Sequence, residues 1–274
     1  YSVEEQLALA RQMAGKLSIQ GVQPKISVRF HGTRGDFIPV STGGRYILKP
    51  QNQLFPYLPE NEDLSMRLAE LAGCTVPLHA LIRGSDAQCI YVVKRFDRAA
   101  KKRKLAVEDF AQLAGMSRDT KYAYSVEKII NLIDQYMTFP AIEKVVFFRL
   151  FLVNYLLGNE DAHLKNYSVI TREGKQVLSP CYDIVNSTLY FPKDTEESAL
   201  PLRGKKRRFT ADDLFSYLGR SRLVLSEKVI TNIRNDLIQI QPQWRELITN
   251  SFLPKAQKRV YQEIVDQRCV TLFS

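Results

Sequence analysis

Gly158-Asn-Glu-Asp-Ala-His-Leu-Lys-Asn166 sets an aspartate and an asparagine, Asp161 and Asn166, five residues apart. A second aspartate, Asp183, follows seventeen residues after Asn166 in Cys181-Tyr-Asp-Ile-Val185. A D-x-x-x-x-N interval trailed by an aspartate after a short hairpin suits phosphoryl transfer. The first carboxylate accepts the proton of the attacking hydroxyl, and the amide and second carboxylate hold metal ions on the nucleotide phosphates. Upstream, Tyr46-Ile-Leu-Lys49 is predicted as a strand ending in a lysine, the position from which a lysine grips the α and β phosphates. Each feature alone is weak. Together they imply transfer of a phosphoryl group from ATP, with magnesium as the metal.

Outward from that stretch the pattern divides the chain. Ile26, Val28 and Phe30 alternate with Ser27 and Arg29, and residues 37–40, 45–49, 76–82 and 89–96 read as further short strands. Between them, residues 60–71 read as a helix stopped at Gly73, and residues 2–15 as a short leading helix. Beyond Phe96 the pattern turns helical, with apolar faces in 105–114, 125–136, 141–157, 210–219, 224–239 and 253–270. The exception is a small hairpin, Tyr167–Ile170 with Gln176–Leu178. The expectation is an α+β, bilobal protein-kinase-like fold: a sheet-rich lobe over 1–96, a helical lobe over 97–274, and the nucleotide in the cleft between them.

Composition bounds the rest. A chain of 274 residues with 45% hydrophobic and 25% charged residues is an ordinary globular sequence. The longest apolar run, residues 145–157, is interrupted by Arg149 and Asn154 and reads as a buried helix, not a membrane span. The first residues show no basic stretch followed by an apolar core, so no secretory signal is expected. Cys74, Cys89, Cys181 and Cys269 are scattered, without C-x-x-C spacing, and point to free thiols in a cytoplasm. A non-classical export signal would leave no trace in such a reading. The net charge of +10 favours acidic partners. Its densest run, Arg203–Arg208, lacks interleaved aromatics and reads as a solvated loop; any contact with DNA is expected to be indirect.

Two further roles follow from position. His163, two residues past Asp161, stands where it can donate to a γ-phosphate as charge builds there. Lys49, at the end of an apolar strand, needs a helix acid as partner, with Glu62 the first candidate and Glu60 the second.

The stretches Ser18–Lys25, Ile47–Lys49, Val93–Arg98, Val107–Gln112, Gly158–Asn166 and Leu178–Asp183 resemble, in order, the HipA family of bacterial toxin kinases. The resemblance implies a serine/threonine protein kinase using ATP and Mg²⁺, with an aminoacyl-tRNA synthetase as target and arrested translation as outcome. It implies that Ser18, Gly21, Val22, Gln23 and Lys25 form the loop over the phosphates, with Ser18 the site of self-phosphorylation. It places Lys94 and Phe96 beside the adenine. Only a short segment precedes the loop, which resembles the short HipT form. The expected partners are then a small HipS-like protein supplying an N-terminal subdomain and a HipB-like DNA-binding antitoxin. A non-catalytic docking module and a small-molecule kinase remain the alternatives. Retention of Lys49, Asp161, Asn166 and Asp183 weighs against the first, and only the resemblance weighs against the second.

Overall fold

The computed structural model describes residues 5, 24–99, 103–116, 122–191 and 196–274. The chain forms two units. One takes the chain up to Leu64 together with Pro77–Lys104, and the other takes Ser65–Val76 with Leu105–Ser274.

The first unit is built on one antiparallel sheet. Its strands are β1 (Ile26–His31), β2 (Asp36–Pro39), β3 (Tyr46–Lys49), β4 (His79–Arg83) and β5 (Cys89–Lys94), in the order β2-β1-β3-β5-β4. Ile26, Val28, Leu48, Ile90 and Val92 make its buried cluster, flanked by Phe37, Tyr46, Ala80 and Ile82. Residues two apart along a strand share a face, so Ile26 and Val28 lie on the same side of β1, and Ser27 between them is buried as well. Helix α1 (Leu58–Leu71) contributes its residues up to Leu64 to this unit and the remainder to the second.

The second unit is mainly helical: α2 (Phe110–Leu113), α3 (Val126–Tyr136), α4 (Pro140–Leu156), a π-helix (Asp212–Arg222), α5 (Glu227–Gln239), α6 (Gln241–Asn250) and α7 (Lys255–Phe273). Ser125 and Ser226 cap α3 and α5 by accepting the N–H of Lys128 and Val229. Pro140 lies in the first turn of α4, where its missing N–H goes unmissed. This helix is the unit's spine, with Phe147, Phe148 and Leu150–Leu156 all buried. The two polar residues that interrupt its apolar run are both satisfied. Arg149 donates to Ala72 O (2.9 Å) and Asp236 (2.8 Å), and Asn154 accepts from Asn159 (2.8 Å).

Three local expectations are corrected. Residues 105–114 are not one helix. Val107–Asp109 is strand β6, pairing with β7 (Ser168–Arg172), which pairs in turn with β8 (Lys175–Leu178). Asp109 then starts only the short α2 through a reciprocal capping box with Gln112. The helix expected over 210–219 winds with wider bonds, as when the N–H of Leu223 reaches Leu218 O at 2.9 Å. Its Gly219 allows a close approach: a Cβ there would lie 3.1 Å from Phe148 and 3.2 Å from Ile230. Residues 241–250, given no element from sequence, form α6, anchored by the fully buried Trp244.

No helix among the described residues is long and apolar enough to cross a membrane.

Candidate active site

The loop carrying Asp161 begins where α4 ends. Gly158 turns the chain with φ +74°, and a Cβ there would lie 2.7 Å from Asn186 Oδ1. Both the left-handed backbone and the close neighbour require glycine at this position. The loop folds onto itself. His163 N–H reaches Asp161 O (2.8 Å) and Asn166 Oδ1 (3.1 Å), and Asn166 N–H reaches His163 O (2.9 Å). Asp161 and Asn166 thus flank one tight turn, with the His163 side chain buried between them and Asp161 itself exposed.

Asp183 is brought to this loop by its neighbours on both sides. Before it, Tyr182 is half-buried and its hydroxyl donates to Lys165 O (2.8 Å), beside Asn166, while meeting Ser168 Oγ at 2.5 Å. After it, Ser187 and Thr188 N–H groups bond to Gly158 O (3.0 and 3.3 Å), and Glu160 N–H bonds to Ser187 Oγ (2.8 Å). Asp183 lies between these two staples in the left-handed region, φ +56°. That conformation costs a non-glycine residue on the order of 1–3 kcal/mol and persists only where the surroundings impose it.

Beneath the loop lies a buried ionic group. Arg268 on α7 donates to Tyr155 O (2.5 Å) and to Glu160 (2.8 Å), and Thr188 also donates to Glu160 (2.7 Å). Burial pushes the Glu160 carboxyl above its ordinary pKa, against the lowering effect of Thr188 and Arg268. Sequence reading missed this group. Its signal was an arginine inside the apolar stripe Val265, Cys269, Leu272. Tyr122 was also missed. It lies 39 residues from Asp161 in sequence, yet its hydroxyl donates to Asp161 Oδ1 at 2.5 Å. No local pattern announces such a pair.

In the first unit, Lys49 closes β3 with only 3% of its surface exposed and forms an ion pair with Glu62, which is 1% exposed. The Lys49 ammonium also lies 5.6 Å from the centre of the Tyr91 ring. Glu60, the other candidate, is engaged by Gln51 through both carboxylate oxygens (3.0 and 2.9 Å). Lys94 ends β5 exposed, its N–H on Leu78 O, and Phe96 is half-buried. Between them Arg95 chelates Asp97 (2.9 and 2.8 Å). Burial alone would raise the Asp97 pKa, but Arg95 and Arg98 hold it below the ordinary range. Lys25 is half-buried just before β1. Ser18, Gly21, Val22 and Gln23 lie outside the described residues.

The basic run is largely neutralised locally. Arg203 pairs with Asp212 (3.0 Å), Lys205 with Asp213 (2.6 Å) and Lys206 with Glu196 (3.4 Å). A cavity of ≈ 350 Å³ in the second unit is lined by Cys74, Glu143, Asn166 and Cys181, but by neither Asp161 nor Asp183.

The donor set suits magnesium, which takes oxygen ligands and usually only one or two from protein. Asp183 would supply a carboxylate. Asn166 Oδ1 accepts one N–H and keeps a second lone pair.

Comparison with known proteins places the chain in a family and a fold. A Haemophilus influenzae protein named "Putative kinase" is 28% identical over 289 residues, spanning 93% of this chain and 81% of its own length. The serine/threonine-protein kinase toxin HipA of Shewanella oneidensis is 28% identical over 194 residues, 64% of this chain and 44% of the toxin. The solved complex of Shewanella oneidensis HipA with HipB and operator DNA superposes with a TM-score of 0.77 at 22% identity, covering 98% of this chain and 70% of that one. The α+β, kinase-like fold expected from sequence is therefore the fold observed. The family model for the HipA-like C-terminal domain matches residues 17–245. By sequence and by architecture, this chain belongs to the family of HipA-like C-terminal domains.

Proposed function

We propose that this chain is a serine/threonine protein kinase, the toxin of a bacterial toxin–antitoxin pair. The observation that carries the reading is the stapling of Asp183, on both sides, to the loop of Asp161 and Asn166. Three oxygen-bearing groups are held on a rigid frame, and phosphoryl transfer depends almost entirely on such positioning and on charge.

In this reading the first unit carries the nucleotide-phosphate loop and Lys49, and the second carries the catalytic and metal-binding groups. Glu62 pairs with Lys49, whose ammonium would meet phosphate oxygens. Asp161 accepts the proton of the attacking hydroxyl. His163 donates to the γ-phosphate oxygens. Asn166 and Asp183 would hold Mg²⁺, which when bound neutralises the charge of the phosphates. Lys94 and Phe96 flank the adenine. Support for a protein substrate comes from the kinase toxin it resembles, and support for a DNA-binding antitoxin partner from the HipB and operator DNA of the solved complex. An aminoacyl-tRNA synthetase is the substrate class proposed, with self-phosphorylation on Ser18 as the brake: nearly two negative charges there would repel ATP.

The test is incubation with γ-labelled ATP and a bacterial lysate, with phosphoamino-acid analysis of labelled bands and intact mass of the kinase itself. A discrete labelled protein carrying phosphoserine or phosphothreonine is expected, with one added phosphate on Ser18. Label confined to small molecules would contradict the protein-kinase reading.

A further inference from the structure

The Tyr122 phenol donates to Asp161 Oδ1 at 2.5 Å, and its ring stands edge-on to His163 at 5.1 Å between centroids. Both partners are the residues assigned above to act on the acceptor hydroxyl and the transferring phosphoryl group. A base that takes a proton from a hydroxyl must first accept a hydrogen bond from it, at about 2.6–3.2 Å between heavy atoms. The Tyr122 hydroxyl already makes that contact. Burial, the hydrogen bond to Asp161 and the Asp161 charge all hold its pKa well above the usual tyrosine range, so it remains a proton donor. Tyr122 is also 41% exposed, so it can leave without opening the core.

We propose that Tyr122 occupies the acceptor-hydroxyl subsite of this kinase, a subsite bounded by Asp161 and His163 that takes an alcohol donor, and that an incoming serine must displace it. The proposal rests on the kinase reading. It adds where the acceptor binds and what stands there first. It follows that free protein competes with its own substrate. The bond in question has a charged acceptor, the stronger class of hydrogen bond, so its removal should be visible in binding of the acceptor.

The test compares parent, Tyr122→Phe and Tyr122→Ala with dephosphorylated casein as the serine-bearing probe and saturating Mg–ATP. Both variants should raise kcat/KM for casein on the order of tenfold, chiefly through a lower KM, as expected for loss of a hydrogen bond to a charged group net of rehydration. A purely structural tyrosine would instead lower kcat and the melting temperature together, leaving KM in place. An active parent whose two folded variants show unchanged or lower kcat/KM overturns the inference alone. A folded parent that transfers phosphate to no acceptor overturns the kinase reading, and this inference with it.

Discussion

Asp161→Asn is expected to lower the rate of γ-phosphoryl transfer by about 10²–10⁴-fold, the usual contribution of a general base. The side chain is exposed, and it accepts from the Tyr122 hydroxyl, from which an amide oxygen can still accept. Melting temperature and ATP affinity should therefore stay near those of the parent. The loop is held by main-chain bonds from His163 and by the Glu160 contacts, none of which uses the Asp161 carboxylate. Single-turnover transfer from labelled ATP, with calorimetric ATP binding on the same sample, checks both halves. A variant that transfers at nearly the parent rate would remove Asp161 from the role of base.

The largest effect on stability is expected at Arg268. Arg268→Met leaves the Glu160 carboxylate and Tyr155 O buried without the guanidinium that meets them. Removing one partner of a buried ion pair costs about 3–5 kcal/mol. In a chain of this size that corresponds to a fall in melting temperature on the order of 10 °C. The loss should depend on pH, with a definite sign. Glu160 has a folded pKa raised above its ordinary value, so its contribution is fully present below the unfolded pKa and is lost as pH rises through the folded pKa. Without Arg268 the folded pKa rises further, and more stability is lost on ionisation. Parent and variant should thus differ less near about pH 5 than near about pH 8. Thermal unfolding at the two pH values reads this directly. Equal losses at both would show that Arg268 acts by packing alone.

Much of the fold was legible because it rests on local pattern. The five strands of the first sheet follow from alternation and turn residues, and α3, α4, α5 and α7 from apolar periodicity. Where the reading failed, a distant partner had decided. Val107–Asp109 is a strand because Ser168–Ile170 offers it a ladder, which a window over 105–114 does not contain. The π-helix shares apolar positions with an ordinary helix, so periodicity does not tell the two apart. The candidate site divides in the same way. Asp161, Asn166 and Asp183 are visible as spacing along one stretch. Tyr122, Thr188 and Arg268 reach that stretch only through tertiary structure, and a tyrosine, a threonine and an arginine have too many ordinary uses to be noticed in a sequence.

The central claim, that Asn166 and Asp183 present Mg–ATP to Asp161, is tested most directly by calorimetric titration of ATP with and without Mg²⁺ into the parent and Asp183→Ala. Mg²⁺ is expected to tighten ATP binding to the parent, and this gain is expected to disappear in the variant because its carboxylate ligand is gone. The same Mg²⁺ dependence in both proteins would contradict it and place the metal elsewhere.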